Sequence, residues 1–196
     1  AVVEKAPFPR RKVCGEFISA TSLPLLRELG LAGAYLAQAG PPVRQIGFYA
    51  GNTMLAADMP RPRDGAESYG RALGREHFDA LVLNAAVAAG AELWQPCTFT
   101  DVEQVAGGFT GTAVAKDTRE TVRLQARIVI AAHGSWELGL LPTQIPVAVP
   151  RGSDLFAFKA RFLNCGLPAG LMPLLIFPGG YGGMVHSDGG RVSLSC

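Results

Sequence analysis

The feature that most constrains the fold is a long amphipathic segment that follows a basic loop in the first part of the chain. Apolar residues recur at helical spacing from Phe78 to Ala89, so the segment from Arg75 to Ala89 predicts a helix. Gly90 stands where a residue in the left-handed conformation ends a helix. The basic loop, Arg11-Lys12-Val13-Cys14-Gly15, follows the apolar, β-branched start of the chain, which predicts a strand. The chain therefore offers a strand, a basic loop and then a long helix.

Shorter patterns predict the remaining elements. A helix is expected near Ser22–Leu29, a helical turn at Ala32–Gln38, one or two strands within Val43–Leu55, a loop at Pro60–Tyr69, an antiparallel meander at about 93–125, a strand buried on both faces at Arg127–Ala132, a strand at Leu155–Phe162, and a hairpin that joins Met184–Ser187 to Arg191–Ser195. Pro142, Pro146 and Pro150 predict a linker-like crossover before the last third.

Composition excludes several classes of protein. Apolar residues make up 48 % and charged residues 17 % of the 196 residues, which is typical of a globular chain. The net charge of +2 and the lack of a long Lys or Arg run argue against a nucleic-acid partner. No signal peptide and no apolar run of about 20 residues is visible, so no transmembrane segment is predicted.

The cysteines predict neither a metal site nor a disulfide framework. Cys14, Cys97, Cys165 and Cys196 are widely scattered, and no C-x-x-C pair occurs. Reduced thiols in a cytoplasmic protein are the expectation.

The residues Arg11 to Ser19 and the segment from Gly70 to Ala86, which closes on Ala89-Gly90-Ala91-Glu92, resemble one enzyme group. These are the FAD-dependent oxidoreductases that include aromatic hydroxylases, geranylgeranyl reductases and flavin-dependent halogenases. The resemblance implies an α/β fold: an incomplete FAD/NAD(P)-binding Rossmann-like sheet, an antiparallel β-meander and an antiparallel substrate-domain sheet. Residues 1–40 and 70–140 would form a partial FAD-binding domain, with the meander at about 93–125. Residues 41–69 and 141–196 would form a partial substrate-binding domain.

The resemblance also predicts that the chain is truncated at both ends. A phosphate-binding G-x-G-x-x-G turn is expected about 20 residues before the ribose-binding acid, and only three residues precede Glu4. The glycines at 179–183 have the wrong spacing to replace that turn. The downstream Gly-Asp segment of the family is likewise not seen, so the chain looks like the middle of a larger enzyme.

Cofactor-binding residues are carried over from the resemblance. Glu4, with Lys5 beside it, ends the first strand where the family has its ribose-binding carboxylate. The loop residues Arg11, Lys12, Val13, Cys14 and Gly15 would lie beside the flavin, where Gly15 permits close approach of the backbone. Arg75 would reach the phosphate or ribityl chain, although Gly74 stands where the family usually has Ser, which leaves Arg71 as an alternative. Ala132, Gly134 and Ser135 would pack against the dinucleotide.

The resemblance implies an enzyme that uses FAD, with NADPH or NADH as electron donor. A monooxygenase that hydroxylates an apolar or aromatic small molecule is the first reading, and Phe177 and Tyr181 are candidate substrate contacts. A geranylgeranyl-reductase-like reductase of a double bond is the alternative, and a halogenase is third. A hypothesis of another class is a non-catalytic remnant without the phosphate loop. No catalytic residue, substrate or oligomeric state is predicted.

Overall fold

The computed structural model describes residues 1–60, 69–134 and 151–196. Its helices are α1, Leu23–Glu28, α2, Ala32–Gln38, and α3, Arg75–Ala88. Its strands are β1 Val2–Val3, β2 Phe17–Ile18, β3 Gln45–Ala50, β4 Thr53–Asp58, β5 Arg71–Ala72, β6 Leu93–Trp94, β7 Cys97–Val105, β8 Gly108–Ala115, β9 Thr121–Ala126, β10 Lys159–Phe162, β11 Leu171–Phe177, β12 Gly180–His186 and β13 Val192–Ser195. The mixture of helices and sheets confirms the predicted α/β class.

The three predicted helices are confirmed, and local residues explain their ends. Pro24 lies in the first turn of α1, where its missing N–H costs nothing, and Gly30 adopts φ +70° just beyond the helix. Gly90 adopts φ +96° after α3, as the left-handed stop requires.

The chain divides into two compact units. The first comprises Ala1–Pro7 and Ala86–Asp154, and the second comprises Phe8–Ala85 and Leu155–Cys196. These boundaries differ from those of the predicted FAD-binding and substrate-binding domains, whose assignment stays a prediction.

The second unit contains a six-stranded sheet in the order β10-β13-β12-β11-β3-β4. All neighbours are antiparallel except β3 and β11, which pair in parallel from Gln45↔Leu171 to Ala50↔Ile176. The predicted hairpin is confirmed as β12 and β13, joined by a 3-10 turn at Asp188–Gly190.

Helices α1 and α2 bury a small core in the same unit. Its buried residues are Leu23, Leu26, Leu31, Tyr35 and Leu73, and Phe78, Leu81 and Ala85 of α3 pack against them. Burial of each large apolar side chain contributes about 2 kcal/mol. The Tyr35 hydroxyl donates to the carbonyl of Arg71 at 2.8 Å, which satisfies the polar end of a fully buried ring.

The first unit contains two sheets. Strands β1 and β6 pair in parallel over two residues each. Strands β7, β8 and β9 form the predicted antiparallel meander, with a register shift between Phe99 and Asp101.

Two strand predictions are corrected. Residues 127–132 form no strand, and Ile128 and Ile130 are 77 % and 85 % exposed. A strand needs a hydrogen-bonded neighbour, and among the described residues β1 and β6 pair only with each other. The strand predicted at Leu155–Phe162 begins only at Lys159, because the ladder with β13 covers residues 159–162.

Within residues 1–60, 69–134 and 151–196, no helix is both long and apolar enough to cross a membrane.

Candidate functional site

A short strand pair brings the basic loop to the start of α3. Strand β2 runs antiparallel to β5, with Phe17 opposite Ala72. The Leu73 N–H donates to the carbonyl of Glu16, which extends this pairing towards the loop. Residues before β2 therefore run alongside residues after β5, and this register carries Lys12 and Cys14 towards Arg75.

Asp79 binds two of the predicted cofactor residues at once. The Arg75 Nε donates to Asp79 Oδ1 at 2.7 Å, and a terminal nitrogen of Arg75 donates to Oδ2 at 3.0 Å. The Lys12 ammonium lies 2.6 Å from the same Oδ2. Arg75 and Asp79 are one helical turn apart, so α3 itself sets their geometry. Two cations on one carboxylate leave one net positive charge.

Arg75 and Asp79 each favour the ionised form of the other. The hydrogen bond to Asp79 raises the pKa of Arg75, burial opposes that change, and a hydrogen bond with Cys14 adds to it. Burial acts to raise the pKa of Asp79, but hydrogen bonds from Arg75 and Lys12 outweigh it and lower that pKa. An ionised cluster with a cationic excess suits a phosphate or another anion.

The loop alternates in exposure along its length. Lys12 and Cys14 are half-buried, whereas Arg11, Val13 and Gly15 are exposed. A Cβ placed on Gly15 would meet nothing within 4 Å, so a planar group has room to approach the backbone there. Two cations, a thiol and an open glycine therefore occur in this loop and at the start of α3.

The structure distinguishes the two candidate arginines by their contacts. Arg71 donates to the carbonyl of Gly40 at 3.2 Å, at the end of α2. Arg75 belongs to the cluster with Lys12, Cys14 and Asp79. The contacts place only Arg75 beside Lys12 and Asp79, and its role as the cofactor residue stays a prediction.

Two residues of the cluster were given no role by the sequence. Asp79 orients both cations. Its spacing of four residues from Arg75 is the sequence pattern that could have predicted their ion pair on one face of a helix. The Lys12 ammonium also lies over the ring of Phe8, 5.1 Å from its centroid. Nothing in the local pattern around Phe8 indicated this contact.

Glu4 lies in the first unit, at the carboxyl end of β1. Its N–H donates to the carbonyl of Trp94, which continues the parallel pairing with β6. One carboxylate oxygen accepts from the Ala6 N–H at 3.1 Å. The end of a parallel strand is the position that the prediction required. Lys5 follows it and is exposed.

The other described residues predicted to contact the cofactor or the substrate lie outside the cluster around Asp79. Ala132 and Gly134 are exposed and lie outside any strand, and Ser135 lies outside the described residues. Tyr181 is opposite Ile176 on the β11–β12 ladder, and Phe177 is opposite Gly180. Because side chains alternate along a strand, Phe177 and Tyr181 lie on opposite faces of the sheet, and one face presents only one of them.

No group of His, Cys, Asp and Glu in the described part of the chain is arranged to hold a metal ion.

A family model described as "FAD binding domain" matches residues 1–156 of this chain. The fold is also similar to solved structures. One is the myxobacterial chondrochloren halogenase CndH, an FAD-dependent halogenase, with a TM-score of 0.76, 18 % identity, and coverage of 99 % of this chain and 46 % of that one.

Two further structures share the fold. A geranylgeranyl bacteriochlorophyll reductase-like protein from Thermoplasma acidophilum has a TM-score of 0.72 and 18 % identity, covering 98 % of this chain and 48 % of that one. The p-nitrophenol 4-monooxygenase PnpA from Pseudomonas putida DLL-E4 has a TM-score of 0.76 and 13 % identity, and the match covers 98 % of this chain and 50 % of that one. The chain thus spans about half the length of the solved structures it matches.

Proposed function

Because the chain belongs to the FAD binding domain family, we propose that it is part of an FAD-dependent monooxygenase that hydroxylates an apolar or aromatic small molecule. FAD, which the sequence predicted, is the cofactor of this family. The observation that carries the proposal is the joint placement of Lys12 and Arg75 on Asp79, with Cys14 beside Arg75.

In this proposal each protein group has a physical task. Lys12 and Arg75 offer charge-assisted hydrogen bonds to the phosphate or ribityl oxygens of FAD. Gly15 leaves room for the flavin ring, and Glu4 accepts from the adenosine ribose. When bound, FAD supplies the redox chemistry, with NADPH or NADH as the proposed electron donor.

An apolar substrate is supported by one face of the six-stranded sheet. Phe48 lies opposite Leu174 on one side and Leu55 on the other, so the three side chains share a face. Phe48 and Leu55 are 44 % and 67 % exposed, and Tyr181 shares their face. Exposed apolar side chains of this kind suit a hydrophobic ligand and help to exclude water.

The runner-up is reduction of a double bond, which the fold similarity to the reductase-like protein supports. Halogenation comes third, supported in the same way. For the compartment we propose the cytoplasm, since all four cysteines are free thiols.

The test is FAD binding by the purified chain. We expect FAD to bind, measured by quenching of its fluorescence, and Lys12→Ala or Arg75→Ala to weaken binding about tenfold each, because each variant loses a charge-assisted hydrogen bond. Lys116→Ala is the matched control, since Lys116 is exposed in the meander.

Wild-type affinity in both variants would contradict the assigned site. If the wild-type chain bound no FAD, the non-catalytic remnant would become the better reading.

A further inference from the structure

A buried ionic network lies in the second unit, outside the cluster around Asp79. It joins three carboxylates, those of Glu16, Glu76 and Asp188, to three cations, those of Lys159, Arg161 and Arg191. The carboxylate residues are 2 %, 8 % and 9 % exposed. Formal charges therefore balance within the network.

Arg161 is the centre of this network. One terminal nitrogen lies 2.5 Å from Glu16 Oε1 and 2.5 Å from Glu76 Oε2, and the other donates to Glu76 Oε1. The planar guanidinium suits such a bridge between two carboxylates, whereas an ammonium presents only a point charge.

The two carboxylates stand next to the candidate cofactor residues in the sequence. Glu16 directly follows the loop that ends at Gly15, and Glu76 directly follows Arg75. A single side chain from β10 thus holds the basic loop and the first turn of α3 in one arrangement.

Lys159, on the same face of β10, holds the loop at two more points. Its ammonium lies 2.6 Å from Glu16 Oε1 and donates to the carbonyl of Lys12 at 3.3 Å. Ser193, opposite Arg161 on β13, donates to the other oxygen of Glu16. The loop is therefore fastened to the six-stranded sheet at both of its ends.

The start of α3 is fastened from the other side of the network. The Gly74 N–H donates to Asp188 Oδ1 at 2.7 Å, and Arg191 contacts both Asp188 and Glu76. Replacing a buried ion pair by apolar packing is often neutral or stabilising, so the presence of the network is weak evidence for a gain in stability.

We propose that Arg161 is a positioning residue for FAD: it sets the distance between Lys12 and Arg75 by bridging Glu16 and Glu76. The inference rests on the proposed function, because it takes Lys12 and Arg75 as the groups that bind the cofactor.

The first test is Arg161→Lys, which keeps the positive charge but loses the planar guanidinium that bridges Glu16 and Glu76. We expect FAD affinity to fall about tenfold and the visible circular dichroism of bound flavin to change. Val192→Ala is the matched control, because Val192 is fully buried on the neighbouring β13, opposite Phe162, and takes no part in the network. It should lower the unfolding temperature without either flavin effect.

A double-mutant cycle separates positioning from direct binding. If Arg161 acts through Lys12, then Arg161→Lys should weaken FAD binding less in the Lys12→Ala background than in the wild type. The proposal would be overturned if the effects of Arg161→Lys and Lys12→Ala on the free energy of FAD binding were fully additive. It would also be overturned if Arg161→Lys bound FAD with the affinity and the flavin spectrum of the wild type.

A readout without FAD distinguishes failure of this inference from failure of the proposed function. Cys14 lies in the loop and is half-buried, so the rate at which a thiol reagent labels it reports how tightly the loop is held. Arg161→Lys should speed labelling of Cys14 but not of Cys97, and Val192→Ala should not. Unchanged labelling refutes the positioning role. If Arg161→Lys speeds labelling of Cys14 while the wild-type chain binds no FAD, the loop restraint stands and the cofactor role is refuted.

Discussion

Glu16 is a buried carboxylate that keeps its charge through its partners. Burial acts to raise its pKa, but hydrogen bonds from Lys159, Ser193 and Arg161 outweigh burial and lower the pKa to about 2. The ordinary value is 4.5, so the folded state favours the ionised form. The ionised Glu16 therefore stabilises the folded state. This stabilisation is complete above the ordinary pKa and is lost as the pH falls towards 2.

We predict that Glu16→Gln lowers the free energy of unfolding by about 3 kcal/mol at pH 7. The difference from the wild type should shrink as the pH falls from about 5 to 2, because the wild-type carboxylate then takes up a proton. Urea unfolding at several pH values measures it, with the exposed Glu103→Gln as control. A difference that grows on acidification would contradict the assigned partners.

Residue patterns indicated the loop and Arg75, but not what holds them. The family resemblance predicted Lys12, Cys14 and Arg75 as cofactor residues. Arg161 reaches Glu16 across 145 residues, and no local pattern encodes that contact.

The helices and their connections depend on glycine in two different ways. Gly33 lies within α2, and a Cβ there would meet nothing within 4 Å. Gly40 follows α2, is buried, and a Cβ there would overlap the carbonyl of His186 on β12. Gly33 only lowers the helix propensity of α2, whereas Gly40 allows the backbone to pack closely against a strand.

We therefore predict opposite effects for the same substitution. Gly33→Ala should raise the free energy of unfolding by about 0.5 kcal/mol, through the higher helix propensity of alanine. Gly40→Ala should lower it by about 2 kcal/mol, because backbone atoms must move apart. Thermal unfolding of both variants measures the contrast. Equal effects would mean that α2 does not approach β12 as closely as described.

At the scale of the whole molecule, β4 is an exposed edge. In the described residues it pairs only with β3, and all six of its residues are exposed. Among the described residues, no strand pairs with its outer side, so the backbone groups there and the side chain of Leu55 offer a template for another strand.

Leu55→Lys should raise the concentration at which the chain aggregates, since an edge charge opposes strand addition. Leu55 is 67 % exposed, so the free energy of unfolding should change by less than about 0.5 kcal/mol. Leu25→Lys is the control: Leu25 is 57 % exposed on α1, and the change in charge is the same. Light scattering measures both. An equal gain in the control would assign the effect to net charge rather than to the edge.

Local residue patterns predict the helices, the meander, the terminal hairpin and the basic loop, and the resemblance adds the family and its cofactor. Helix and hairpin hydrogen bonds join residues close in the chain, so periodicity and turn residues specify them locally. Contacts between residues far apart in the chain are needed to explain the parallel pairing of β3 with β11, the absence of a strand at residues 127–132 and the network around Arg161. A strand forms only where a distant neighbour completes its ladder, and a charge is buried only where distant partners compensate it.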